Sequence, residues 1–383
     1  MPAVRMLIMT GSIAILMDTD EPPMSALDEL ERICKAKWDH LHEAAREAHE
    51  HLQRFREIVL TEKTESQDVS VVIFGSLARS EWTNQSDLDW TLLIDGPVDS
   101  KHATEANRLA KKVAEQGFKQ PGPTALFGKL AISHNLVHEI GGQEDSNRNL
   151  TQRLLLLLES RAVEREDAHR RVLDGVLHRY LTNDPRNLAA RHIPLRVPRF
   201  LLNDVVRYWR TMCVDYANKY RARSDDGWAI RHFKLRMSRK LIFTAGLILC
   251  FSCDVTLYPD LKKKFRDLFT SDETEQAPVK ELVEHLRVLS SRGPLETLAE
   301  LCLHFAGAGT GKLLFDAYND FLRILRTPAL RDHLSQLNPD LADGDAEFQI
   351  ARNIGKRFHE GLVKLFFVDN SRLAELTRNY GVF

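Results

Sequence analysis

The stretch that decides the reading is FGSLARSEWTNQSDLDWTLLID, residues 74–95. Upstream of it, VSVVIF (69–74) is a β-branched run, and DWTLLID (89–95) reads as a second strand that opens on a carboxylate. Between them Gly75 and Ser76 make a tight turn at the end of the first strand. Two carboxylates, Asp87 and Asp89, stand at the start of the next. Side chains two apart on a strand share a face, so the pair can grip divalent cations together. Two such cations clamp the attacking and leaving oxygens of a phosphoryl transfer. Gly75 lets backbone approach a phosphate closely, amides in such a turn form an anion-binding nest, and the Ser76 hydroxyl can contact a phosphate oxygen.

Working outward, Ser25 to about Thr61 carries apolar residues at steps of three and four, which predicts one long amphipathic helix with a single possible break. Its HLHEAAREAHEHL stretch has Arg46 where a zinc-protease HExxH pattern needs a second His, so a solvated helix face is expected. Ser100–Gly117 reads as a helix, and LFGKLAIS and NLVHEI (126–140) as further strands. From Thr151 onward the pattern is helix after helix. LLLLL (154–158) is apolar all round and is expected to be buried between the two halves. The fold class expected is an α/β (α+β) domain with a small mixed sheet, followed by an all-helical domain. The boundaries run 1–24 for a tail, 25–150 for the α/β domain with its leading helix, and 151–383 for the helical domain.

Composition narrows the function. Lys plus Arg total 53 against 54 Asp plus Glu, so no global positive field favours long nucleic acid or an anionic membrane. Five cysteines, an odd number thinly spread, argue for a reducing compartment, and the Cys250/Cys253 pair for structural thiols. The apolar run Met6–Met17 lacks a signal-peptidase pattern and is too short to span a bilayer, so a cytoplasmic location is expected. AGAGTGKL (306–313) lacks the spacing of a phosphate loop and is expected to link two helices.

Gly75-Ser76 followed by Asp87-Leu88-Asp89 resembles the signature of the DNA polymerase beta-type nucleotidyltransferase superfamily, with Arg79, Glu81, Thr83 and Ser86 as companions. The spacing is similar to that of the antitoxin-type, aminoglycoside-type and protein-uridylylating members. The resemblance implies Mg²⁺ (or Mn²⁺) on Asp87 and Asp89. It also implies an NTP held by Gly75, Ser76, Arg79 and Ser86. It further implies a third carboxylate that serves as general base. Glu139, on the expected strand, and Asp145, near the next helix start, are the two candidates, with N-capping by Asp145, Ser146 or Asn147 as the alternative for the latter. TQRLLLLLESRAV resembles the run that follows the catalytic domain in the protein-uridylylating branch.

The block 191–240 holds 13 Lys and Arg against four Asp. On its last helix Ile230, Phe233, Met237 and Leu241 form the apolar stripe. Arg231, Lys234 and Ser238 therefore lie on a neighbouring face, from which Arg231 and Lys234 can reach a triphosphate. The expected activity is metal-dependent transfer of a nucleoside monophosphate from an NTP to an acceptor hydroxyl, on a protein or a small molecule. The alternatives are a cyclic or oligonucleotide signal synthase and a catalytically weak NTP-sensing, partner-binding protein.

Overall fold

The computed structural model describes residues 24–61, 66–122, 126–182, 197–222, 227–254 and 277–381. The apolar run at Met6–Met17 lies outside them. Ser25 caps α1 (Ala26–Cys34), its hydroxyl accepting from Asp28 N–H. Lys35 then turns into the left-handed region at φ 49° and ends the helix. The expected long helix is therefore two, α1 and α2 (Asp39–Thr61). Trp38 sits in the break, fully buried, and its indole N–H donates to Asp316 at 2.9 Å.

The chain continues through β1 (Val69–Phe74), the single turn α3 (Gly75–Ala78), β2 (Trp90–Ile94), α4 (Ser100–Glu115) and β3 (Lys129–Ile132). The sheet order is β3-β2-β1-β4. β1 runs antiparallel to β2, with Ile73 opposite Trp90, and β3 runs parallel to β2. All six residues of β1 are buried, which explains why its sequence is a continuous apolar run rather than an alternation.

NLVHEI is no strand: after Ile132 the chain forms α5 (Ser133–Val137), in which only Leu136 is buried. A strand also lies where none was expected, because β4 (Ser160–Glu164) pairs antiparallel with β1 and places Ser160 opposite Phe74. The sheet thus extends beyond residue 150. SRAVE gives no strand signal because it lies at the sheet edge with a single buried residue, Val163.

Between β3 and β4 stands α6 (Asn147–Leu158), capped by the Ser146 hydroxyl. Its Leu154–Leu158 are all buried, as a helix without a polar side requires, each contributing about 2 kcal/mol. After β4 come α7 (Glu166–Thr182), α8 (Arg199–Ala222), α9 (Trp228–Lys234), a π-helical turn (Leu235–Arg239) and α10 (Lys240–Phe251). The C-terminal part holds α11 (Ala277–Ser291), α12 (Pro294–Phe305), α13 (Ala308–Arg326), α14 (Pro328–Gln336), α15 (Ala346–Lys364) and α16 (Ser371–Tyr380). AGAGTGKL is mostly helix rather than linker: Gly307 precedes α13, and Ala308 to Leu313 form its opening turns. Cys250 and Cys253 are free and buried, and burial raises both thiols. One hydrophobic core joins α1, the inner face of the sheet and the C-terminal helices, and a second lies between α2, the sheet and α4.

Candidate functional site

β1 delivers the chain to the site and Gly75 turns it. Phe74 N–H donates to Asp89 O at 2.9 Å, so the ladder carries Asp89 alongside the turn. Gly75 has φ +68°, a region in which L side chains are strained. A Cβ there would stand 2.8 Å from Asp89 Oδ2, so glycine also makes room for the carboxylate. Arg79 N–H donates to Gly75 O and Glu81 N–H to Ser76 O, which locks the turn with Ser76 half-buried beside it.

Asp87 and Asp89 precede β2, separated by the fully buried Leu88. Burial pushes the Asp89 carboxyl up to about 7; Glu159 and Asp87 push the same way, while Arg239 and Arg79 oppose them. Lys119 Nζ lies 2.7 Å from Asp87 Oδ1 but off hydrogen-bond geometry, leaving that buried oxygen without a hydrogen-bond partner. A carboxylate oxygen neutralised only by an exposed lysine, next to a carboxyl destabilised as an anion, is a donor set that suits a hard cation. Asp87 and Asp89 therefore fit a Mg²⁺ or Mn²⁺ ion. Ser86 holds the approach to this pair: its hydroxyl accepts from Thr83 N–H at 3.0 Å and bonds the Thr83 hydroxyl at 3.0 Å. That places Ser86 in the turn itself.

Arg79 is committed to support. It donates to Glu81 through Nε at 3.0 Å and Nη2 at 2.8 Å, and to Glu159 through Nη1. Tyr318 on α13 donates to Glu81 at 2.9 Å, so this buried network clamps the loop after Gly75 onto the helical part. Three of the Arg79 donors are thus taken up by Glu81 and Glu159.

The two proposed third acids are also engaged elsewhere. Asp145 receives both Nη atoms of Arg153, at 3.1 and 2.9 Å, and the Gly141 N–H at 3.0 Å. Arg153 in turn binds Tyr180 and Asp204, and both Arg153 and Asp145 are buried. Glu139, in the loop after α5, accepts from the Asn149 amide at 2.6 Å. Neither is among the main charges acting on Asp89. The carboxylate that is among them, besides Asp87, is Glu159 at the end of α6.

Cations reach the pair from the helical part. Positions five apart on an α-helix point about 140° apart, whereas a π-turn closes i→i+5 and brings them to one side. The π-turn at 235–239 accordingly sets Lys234 and Arg239 together. Arg239 Nη1 lies 3.8 Å from Glu159 Oε1, and Arg239 acts on Asp89. Burial pushes Lys234 down to about 7, as do Arg331, Arg239 and Arg79, with Asp87 acting in the opposite sense. Arg331 on α14 donates to the Thr83 hydroxyl at 2.9 Å and to Gln85 O at 3.1 Å, and Asp87 acts on it as well. Arg231 lies elsewhere, beside Gly227 and Tyr216. Tyr208, Trp209 and Trp228 pack helices: Tyr208 is buried, Trp209 stacks on Phe243, and Trp228 donates to Leu337 O.

Lys119, Glu159, Arg239 and Arg331 are thus site residues that sequence reasoning missed. Glu159 stands in the quoted LLESR run and Arg239 in the basic block, but nothing local to Arg331 marks it. Among the described residues, Asp28, Glu31 and His42 are the one group of three possible metal ligands within 4.8 Å of one another. They lie on α1 and α2, where His42 Nε2 is 2.7 Å from Glu31.

The Gly75-Ser76 turn thus stands against the strand that Asp87 and Asp89 lead into. Residues 52–123, which span that turn and both carboxylates, match the family model of the nucleotidyltransferase domain. That match is consistent with the polymerase beta-type nucleotidyltransferase superfamily, and helices follow the matched segment. No curated protein and no solved structure matches the chain. No described helix is long and apolar enough to cross a membrane.

Proposed function

We propose that the protein is a metal-dependent nucleotidyltransferase that moves a nucleoside monophosphate from an NTP to an acceptor hydroxyl. The observation that carries this reading is the juxtaposition of Asp87 and Asp89 with the Gly75-Ser76 turn, with Asp87 Oδ1 lacking a hydrogen-bond partner. When bound, Mg²⁺ or Mn²⁺ supplies positive charge at the triphosphate and aligns the transfer. Asp87 and Asp89 hold that charge in place. Gly75 and Ser76 receive phosphate oxygens, while Lys234, Arg239 and Arg331 offer cations to charge that builds on the leaving pyrophosphate. Glu159, tied to Arg79 and Arg239, positions the wall of the site behind Asp89. The acceptor hydroxyl gives its proton to solvent, its oxygen forms a bond to the α-phosphorus, and the bond to the bridging oxygen breaks, so that pyrophosphate leaves. The near-neutral charge of the whole chain favours a protein or small-molecule acceptor in the cytoplasm over long nucleic acid.

A second reading, an NTP sensor without efficient turnover, draws support from the engagement of Glu139 and Asp145 away from the pair. The test is pyrophosphate release from each of the four NTPs with Mg²⁺ or Mn²⁺ and cell extract as acceptor, beside an Asp87→Ala/Asp89→Ala control. Release that disappears in the control supports the transferase, and labelled products tell a modified protein or small molecule from an oligonucleotide signal. Metal-dependent NTP binding without release supports the sensor, and neither binding nor release overturns both.

A further inference from the structure

The π-turn that brings Lys234 and Arg239 together also carries a second row of basic side chains. His232, Arg236 and Lys240 step along α9, the π-turn and the start of α10 at intervals of four. Facing them on α15 are Arg352, Gly355 and His359, spaced by three and four, so they share one helix face. Arg236 lies across Gly355: a Cβ at 355 would stand 3.1 Å from Arg236 Nε and 3.4 Å from its Cβ. A larger residue at 355 would press on the Arg236 side chain where it crosses.

The row is not neutralised. Among the described residues, Arg236 and Lys240 have no ion-pair partner, and Arg236 Nε is buried without a hydrogen-bond partner. Carboxylates come near only at the rim. Asp343, on an almost fully exposed side chain, is 3.8 Å from Arg352, and Glu360 acts on His359. The basic groups instead act on one another, the two histidines being held neutral by burial and by their neighbours. His232 feels Arg236 and Arg352, Lys240 feels Arg236, and His359 feels both Lys240 and Arg236. After burial, which is the larger cause, this repulsion helps to hold His232 down at about 4 and Lys240 at about 8.

Like charges gathered on packed elements without counterions destabilise the fold unless an anion relieves them. An aromatic pocket of about 460 Å³ adjoins the row. Tyr216, Tyr220 and Trp228 line it, and the Tyr216 ring lies 6.1 Å from that of His232.

We propose that Arg236, Lys240 and His359, with His232 and Arg352 at the flank, form a second anion site that takes a small phosphate-bearing ligand. It is built from residues other than Lys234 and Arg239, which act at the carboxylate pair. A guanidinium offers paired donors to phosphate oxygens and an ammonium offers a point charge, which together suit a phosphate dianion. The shared chemistry is the phosphate, and its source is either a free phosphate or a nucleotide whose base enters the neighbouring pocket.

The test is calorimetry on the full chain in chelator, with pyrophosphate in one arm and AMP in the other, together with NMR titration of the His232 and His359 rings. Saturable binding is expected, at least tenfold weaker in Arg236→Gln and in Lys240→Gln and unchanged in Lys111→Gln, an exposed residue of α4, with both His rings titrating at higher pH when ligand is bound. Tighter binding of AMP than of pyrophosphate identifies a nucleotide, and equal or weaker binding identifies phosphate alone; both support the site. The absence of saturable binding, wild-type affinity in both Gln variants, or loss only in Lys111→Gln overturns it. Should Arg236→Gln fail to fold, Lys240→Gln carries the test. Asp87→Ala leaves the expected binding intact, so the outcome is separate from that of the transferase reading.

Discussion

Gly75 and Asp89 are built around each other: the positive φ of the glycine points its missing side chain at the carboxylate, 2.8 Å from Oδ2. Gly75→Ala must therefore pay for a left-handed alanine, about 1–2 kcal/mol, and also displace Asp89. The expected result is a lower melting temperature, with metal-dependent NTP binding reduced further than the loss of stability explains. Wild-type binding in a folded Gly75→Ala protein would show that the turn and the carboxylate work independently.

Asp89 makes a separate prediction about pH. Burial raises its pKa from 3.8 to about 7, so the folded state holds a proton in that window that the unfolded state has released. Stability of the metal-free protein is thus lost as pH rises from about 4 through 7, by up to about 4 kcal/mol from this group. Asp89→Asn removes the ionisation. In chelator at pH 8 it is expected to melt at or above the wild type, while added Mg²⁺ stabilises only the wild type. Transfer activity in the variant should fall by about 10²-fold or more. Chemical denaturation with and without Mg²⁺ at pH 5 and pH 8 measures this, and an equal Mg²⁺ response in both proteins removes Asp89 from the metal site.

The two acids proposed from sequence as the third carboxylate should separate cleanly. Asp145→Ala leaves the buried Arg153 without its main counterion and is expected to cost about 3–5 kcal/mol. Glu139→Gln, on a half-buried loop residue, should lie within about 0.5 kcal/mol of wild type. If Glu139→Gln instead abolishes turnover with stability unchanged, Glu139 moves during the reaction and regains the role of base.

The parts legible from sequence were those whose physics is local. The apolar run of β1, the Gly75-Ser76 turn and the Asp-x-Asp spacing each follow from a few adjacent residues, and residues 52–123 match a family model on that segment. β4 was invisible because an edge strand need bury only one side chain, here Val163. Glu159 and Arg331 were missed for a different reason. Glu159 ends a leucine helix that reads as core, and Arg331 reaches Thr83 across 248 positions of chain, a distance no local pattern encodes. The π-turn was equally hidden, since its residues keep an ordinary helical stripe. Its effect on Arg239 emerges only once the extra residue in the turn is seen.

His169 supplies the test of how the sheet edge is held. It lies under β4, its Nε2 is 2.8 Å from the Ser160 hydroxyl, and its backbone N–H donates to Ser70 Oγ in β1 at 3.2 Å. Burial pushes its pKa from 6.5 down to about 4, so the folded state excludes a proton that the unfolded chain takes up in that window. Because this folded pKa is depressed, the contribution is present above 6.5 and is lost as pH falls towards 4. It amounts to about 3 kcal/mol for this group. A His169→Gln protein keeps an amide that can still bond Ser160 but has no charge to acquire. Its denaturation midpoint between pH 7 and pH 4.5 should consequently decline less steeply than that of the wild type, even if its stability at pH 7 is lower. Since Ser160 stands opposite Phe74, immediately before Gly75, acid loosening of β4 should also reach the nucleotide turn. Amide exchange at Gly75 and Ser76 that accelerates below pH 6 in the wild type, and does so less in His169→Gln, is the expected signature. Identical exchange profiles in the two proteins would place the acid-sensitive contact elsewhere.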